Sequence, residues 1–308
     1  VRILAGLGLL VLLSSCSGAE PTELVRTTSF DLARTDGHHV TVDGRRIFAL
    51  VEGGGPDVLL IHGNPSSIYT WRKVITPLAR HYRVHAIDLP GYGFSDKPAD
   101  ETYTTESLAH YVVGYLDAAG VRRAAVVGSS MGGHVASEVA IRYPDRVGPL
   151  VLIDASGLPD GRTYPLSSRM LTWPVIGRAL RLLPSRGRVA DGLRNAFFDP
   201  SLVTEQDIDA YYLPLRSAGG TNAFIARIPQ TVPEERVAQI PTIHAPTLVI
   251  TGDTDRLVPP AVAERYHELI GGSELLVMKQ TGHLPHEERP DDTVAALTRW
   301  IDGHPVTL

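Results

Sequence analysis

Apolar residues along this chain follow two rhythms. Runs at 57–61 (DVLLI), 124–127 and 147–153 are apolar without interruption, as expected of strands buried on both faces of a parallel sheet. Between them apolar residues recur at helical spacing. Ile68, Trp71, Val74, Ile75 and Leu78 follow a capping Ser66 or Ser67, and Leu108, Tyr111, Val112, Tyr115 and Leu116 follow Thr104 or Thr105. Gly120 ends the second helix, and a third spans 131–143 before Pro144. With strands at 45–52 and 82–87, the βαβαβ order predicts an α/β fold, a mostly parallel central sheet flanked by helices. From about 158 to 240 the strand signal stops, and amphipathic pieces rich in Arg and broken by prolines replace it. Strands resume at 247–251 and 274–278, with helices at 260–269 and 290–301. The expected organisation is a core of residues 36–157 and 241–308 with a helical cap inserted at 158–240.

The first residues do not fit that core. Arg2 precedes an apolar run at 3–13, too short for a bilayer span of about 20 residues but suited to a secretory signal. The run ends in Leu13-Ser14-Ser15-Cys16, which is similar to a bacterial lipoprotein signal, cleaved before a cysteine that is then lipidated. Residues 1–16 are therefore expected to be a lipoprotein-type signal and 17–35 a polar tether. Cys16 would anchor an exported protein to a membrane, on its periplasmic or extracellular side. Cys16 is the sole cysteine, so the chain can form no internal disulfide. A net charge of −5 with scattered basic residues argues against a nucleic-acid partner.

The chemistry concentrates in loops after strands. Gly128-Ser129-Ser130-Met131-Gly132 has the form G-x-S-x-G between a strand and a helix. A sharp turn there lifts the Ser130 hydroxyl above the sheet and leaves the Met131 N–H at a helix N-terminus, facing developing negative charge. Ser129 is the neighbour, but the motif centres on Ser130. A serine nucleophile needs a base. His283, in the Gly-His-Leu-Pro loop after the last strand, is preferred over His286, three residues on. The acid belongs between serine and histidine in chain order. Asp255 is favoured, with Asp154 and Asp253 as alternates. The second oxyanion donor is expected at Asn64, in His62-Gly63-Asn64-Pro65, since Pro65 has no N–H. Gly91-Tyr92-Gly93 reads as a turn only. In the cap, Leu171, Trp173, Phe197, Phe198, Tyr211 and Tyr212 are candidate liners of an apolar acyl pocket, with packing of cap on core as their other role.

From residue 40 to 301 the sequence resembles the α/β-hydrolase superfamily. The matching segments are HGNPSS at 62–67, DLPGYGFSDKP at 88–98, GSSMGG at 128–133, GDTDRLVP at 252–259 and GHLPHEERP at 282–290. The resemblance implies a triad of Ser130, Asp255 and His283 and a lid over 158–240. HGNPSSIYTWR at 62–72 looks like haloalkane dehalogenases and epoxide hydrolases, but those carry an aspartate at the elbow. Ser130 removes the alkyl-enzyme route. Residues 128–147 are similar to carboxylesterases and to C–C hydrolases of ring-cleavage products. The expected function is hydrolysis of a small or medium-sized apolar carboxylic ester through an acyl-enzyme, needing no cofactor or metal. The alternatives are C–C hydrolysis of a vinylogous diketone and a catalytically silent binding protein on the same scaffold.

Overall fold

A computed structural model describes residues 37–159, 185–227 and 233–306 of the 308-residue chain. The strands are β1 (His38–Val42), β2 (Arg45–Gly53), β3 (Asp57–Ile61), β4 (Arg83–Ile87), β5 (Ala124–Ser129), β6 (Val147–Ile153), β7 (Thr247–Gly252) and β8 (Glu274–Met278). The helices among the described residues are α1 (Ile75–Leu78), α2 (Thr105–Ala118), α3 (Met131–Arg142), α4 (Arg186–Ala196), α5 (Glu205–Arg216), α6 (Gly220–Arg227), α7 (Glu234–Gln239), α8 (Pro260–Leu269), α9 (Pro285–Glu288) and α10 (Pro290–Gly303).

The strands form one sheet in the order β1-β2-β4-β3-β5-β6-β7-β8. β2 pairs antiparallel with β1 and β4, and every later pairing is parallel. The apolar runs work as two-faced strands. Leu59, Ile61, Val126, Leu150 and Leu152 face α2, α3 and α8, while Val58, Leu60, Val127, Val151 and Ile153 face α1 and α10. This period of two buries both faces of the sheet. Parallel pairing also puts the carboxyl ends of β4, β3, β5, β6, β7 and β8 on one edge, where open α/β sheets bind ligands.

Two local expectations change. The single helix expected from Ile68 to Leu78 is a 3-10 turn, Ile68–Trp71, followed by the four-residue α1. Pro77 has no N–H to close a bond onto the preceding turn. Ser67 does cap the turn, accepting from Tyr69 N at 3.3 Å. The edge strand β1 had no counterpart in the sequence reading. Its two leading histidines are exposed, so its apolar alternation is too short to register.

Between β6 and β7 the described chain is helical. α4 and α5 supply a third apolar cluster, with Leu193, Phe197, Ile208 and Tyr211 packed against Tyr69 and Leu284 of the core. Among the described residues no helix is long and apolar enough to cross a membrane.

Candidate active site

β5 ends at Ser129 and α3 begins at Met131, so Ser130 alone makes the turn. Its φ of 54° and ψ of −118° are strained for a residue with a side chain, and held strain of this kind concentrates at functional turns. Four bonds hold it. The Ser130 N–H donates to Ile153 O at 2.9 Å, and Ser130 O accepts from Gly133 N, His134 N and Ser156 N at 3.0–3.2 Å. The turn also needs bare backbone at Gly132, where a Cβ would lie 2.1 Å from Ile61 O and 2.5 Å from His62 O.

Two strand-ends along the same edge, Asp255 follows β7 and His283 follows β8. His283 Nδ1 is 2.6 Å from Asp255 Oδ2, with both side chains buried. The other Asp255 oxygen accepts from Leu257 N at 2.7 Å and Val258 N at 2.9 Å. Carboxylate oxygens only accept, so Nδ1 carries the proton and Nε2 is left as the basic atom. The His283 backbone N–H donates to Ala196 O, the last residue of α4, at 2.6 Å. The cap thus holds the histidine loop directly.

On the other side of Ser130 the loop after β3 passes close by, and a Cβ on Gly63 would lie 3.1 Å from Ser130 Cβ. Among the described residues, no hydrogen bond is made to the N–H of Asn64 or of Met131. His62 is buried and braces this loop. Its Nδ1 donates to Gly63 O at 2.8 Å and its Nε2 accepts from Leu89 N at 3.1 Å, a pattern that fixes one neutral tautomer. Burial lowers its pKa, outweighing the nearby Asp88. Tyr92, in the turn between two glycines, adds a brace invisible in the sequence. Its hydroxyl donates to Asn64 Oδ1 at 3.0 Å and lies 3.4 Å from Met131 Sδ.

The remaining candidates fall elsewhere. His286 is buried, tilted against Trp71 with ring centroids 4.3 Å apart, and its Nε2 lies 2.8 Å from Thr70 Oγ1. Burial, then the neighbouring His283, lower its pKa to about 3. Asp253 shapes a turn, accepting from Thr281 N at 3.4 Å. Ser129 is buried beneath the elbow. Asp154, at the end of β6, accepts from Thr251 Oγ1 at 2.8 Å and Gly252 N at 3.1 Å. An atom each of Asp154, Asp255 and His283 lie within 4.8 Å of one another, close enough for a metal. His283 Nδ1 already donates to Asp255 Oδ2, so an ion on that nitrogen would have to displace this bond.

Phe197 is buried between cap and core, whereas Phe198 is exposed. Tyr212 is half-buried. Tyr211 lines a small cavity of about 10 Å³ with Pro65, Ser66, Tyr92, Ala210 and Leu215. That is room for about one water. Leu171, Trp173 and Cys16 lie outside the described residues.

A buried polar clasp behind Tyr211 had no sequence signature. Arg72 reaches Asp207 of α5 at 2.6 Å and Glu287 of α9 at 2.5 Å. The Tyr69 hydroxyl donates to Asp207 at 2.6 Å, Thr70 donates to Glu287 at 2.7 Å, and Tyr211 donates to Glu287 as well. Glu288 bridges Gly282 N at 2.8 Å and Asp199 N at 3.0 Å.

A protein-family model for the alpha/beta hydrolase fold matches residues 56–290. The chain belongs to the α/β-hydrolase family. Over 242 residues this α/β-hydrolase is 32% identical to 2-hydroxy-6-oxo-2,4-heptadienoate hydrolase of Pseudomonas putida, covering 75% of this chain and 83% of that one. A solved meta-cleavage product hydrolase from Pseudomonas fluorescens superposes with a TM-score of 0.76 at 28% identity, over 87% of this chain and 98% of that one. A solved bacterial membrane phospholipase A superposes with a TM-score of 0.75 at 30% identity, over 92% of each. The α/β-hydrolase is therefore a hydrolase by family, and the proteins it resembles include a meta-cleavage product hydrolase and a phospholipase A.

Proposed function

We propose that this hydrolase cleaves carboxylic esters of small or medium-sized apolar substrates through an acyl-enzyme on Ser130. His283 Nε2 takes the hydroxyl proton as Ser130 Oγ attacks the carbonyl carbon, and Asp255 orients the ring and stabilises the imidazolium. The Asn64 and Met131 amides donate to the oxyanion, each worth about 3 kcal/mol of transition-state stabilisation. The imidazolium returns its proton to the leaving alkoxide. Water, deprotonated by the same Nε2, then attacks the acyl carbon, the acyl–Oγ bond breaks, and the imidazolium returns the proton to Ser130 Oγ as the acid leaves. The reading is carried by the buried 2.6 Å Asp255–His283 bond on the strand edge that ends in the strained Ser130 turn. The apolar cluster under α4 and α5 supports an apolar acyl group.

The test is hydrolysis of p-nitrophenyl butyrate by the wild type beside Ser130→Ala. Activity falling by orders of magnitude in a folded variant supports acyl transfer at Ser130, and equal activity in both refutes it. A second reading, C–C hydrolysis of a vinylogous diketone, is favoured by the names of the Pseudomonas relatives. Turnover of ring-cleavage products above that of esters under the same conditions would select it.

The sequence at 3–16 supports export and anchoring of this hydrolase through a lipidated Cys16. Mass spectrometry of the mature protein tests that. An N-terminus at Cys16 bearing acyl chains supports anchoring, and an unmodified thiol removes it.

A further inference from the structure

Behind the Asp255–His283 pair lies a second carboxyl group that the mechanism above leaves unused. Asp154 is 1% exposed and turns the chain left-handed, with φ 44°, at the end of β6. Its Oδ1 accepts from Thr251 Oγ1 and Gly252 N. Its Oδ2, also buried, has no hydrogen-bond partner among the described residues. Yet an oxygen of Asp154, one of Asp255 and a nitrogen of His283 lie within 4.8 Å of one another.

Two ionised carboxylates at that separation in a buried site repel each other, and a bare buried oxygen carries an uncompensated desolvation cost. A proton on Oδ2 removes both difficulties, because it converts the orphan acceptor into a donor beside a carboxylate. We propose that Asp154 is a positioning residue of this site: it stays protonated through turnover and donates a hydrogen bond from Oδ2 to the Asp255 carboxylate, so that one negative charge rather than two faces His283. The inference rests on the Ser130–His283–Asp255 reading and deepens it.

The surroundings agree. Burial first, and the Asp255 charge second, push the Asp154 carboxyl well above the usual range, outweighing the bonds from Thr251 and Gly252. The titratable groups beyond the turn at Gly157, His134 on α3 and Tyr266 on α8, are buried and neutral. Burial lowers the first and raises the second. The neutral carboxyl matters for the base. A second negative charge would favour the imidazolium before Ser130 has a proton to give, and would move the acid limb of the pH–rate profile upward.

The experiment compares full-chain wild type, Asp154→Ala and Asp154→Asn on p-nitrophenyl butyrate from acid to alkaline pH. Infrared spectra of wild type and Asp154→Asn are recorded at neutral pH without substrate. Loss of the hydrogen bond should lower kcat about tenfold in Asp154→Ala with KM kept. The Asn carboxamide can donate in place of the acid and should recover most of that loss. The acid limb should stay at its wild-type pH in both variants. The wild-type spectrum should show a protonated carboxyl band that Asp154→Asn lacks. An acid limb displaced downward by about one unit or more in Asp154→Asn would mean that the native group is ionised, and would overturn the proposal. So would an Asp154→Ala enzyme within twofold of wild type, or the absence of the band. Should Asp154→Ala fail to fold, the Asn variant and the spectrum still decide. If Ser130→Ala keeps full activity, the catalytic reading fails by itself, and the substrate-free spectrum still reports on Asp154.

Discussion

Replacing Arg72 by Met should loosen the cap's attachment at a calculable cost. The guanidinium holds two carboxylates that are almost out of water, with side-chain exposures of 7% for Asp207 and 0% for Glu287. Removing one partner of a buried pair costs about 3–5 kcal/mol, because the other charge stays buried and uncompensated. Here the low end applies. Asp207 keeps its bonds from Tyr69 and Thr204, and Glu287 keeps Thr70 and Tyr211. At roughly 2 °C per kcal/mol for a chain of this size, about 3 kcal/mol lowers Tm by roughly 6 °C. Thermal unfolding followed by circular dichroism at pH 7 measures it. Neutralising the orphans as well, with Asp207→Asn and Glu287→Gln on the Arg72→Met background, should restore part of the loss rather than add to it. The acid dependence has a definite sign. Burial would raise Asp207, but the Tyr69 hydroxyl, Arg72 and the Thr204 bonds outweigh it and hold it below the usual carboxylate range. That contribution is present above the unfolded value of about 3.9 and lost as pH falls through the folded one. Without Arg72 it shrinks, so the Tm gap between wild type and variant should narrow below about pH 4. A gap under 2 °C at pH 7, or a triple variant worse than Arg72→Met alone, would refute the clasp.

Three further outcomes follow from single groups. Gly132→Ala should abolish activity or folding, since its Cβ would sit 2.1 Å from Ile61 O; a soluble variant with near-wild-type kcat would mean that the turn is slack. Tyr92→Phe removes the bond to Asn64 Oδ1 and should lower kcat about fivefold with little change in KM, read by steady-state kinetics. His286 is neutral in the fold, with its pKa lowered to about 3, while the unfolded chain protonates near 6.5. The unfolded state therefore binds more protons on acidification, and stability falls by about 1.4 kcal/mol per pH unit below 6.5. Urea unfolding at pH 7 and pH 5 should show about 2 kcal/mol less acid loss in His286→Gln, and equal losses would argue against a buried neutral ring.

How much was legible follows from how local each feature is. The elbow could be read because one turn between strand and helix demands small residues on both sides of Ser130, all within five positions of the chain. Strands buried on two faces could be read because their apolar runs are contiguous. Neither rule separates His283 from His286, three residues apart after β8, or Asp255 from Asp154, each following a parallel strand. What distinguishes them is a partner far away in sequence: Asp255 for one histidine, Thr70 and Trp71 for the other. The Arg72 clasp joins residues 135 and 215 positions apart. In the sequence it is an arginine in a turn, an aspartate in a capping box and a glutamate two residues after Pro285. Each has a sufficient local explanation, so none signals the other two.

The same distance rule bears on how specificity and catalysis are divided in this hydrolase. A cap that only roofed the pocket would tune KM and leave the chemistry alone. This cap also holds the histidine loop. Ala196 O accepts the His283 N–H, Glu288 ties Asp199 to Gly282, and Leu284 is packed among α4 and α5 residues. A displacement of α4 therefore moves the imidazole as well as the pocket wall. A shift of about 1 Å at a reacting group can cost about a hundredfold in rate. Substitutions along α4 should accordingly change kcat together with KM, and under the proposed mechanism an opening of the cap that breaks the Ala196–His283 contact must remake it before His283 takes the Ser130 proton.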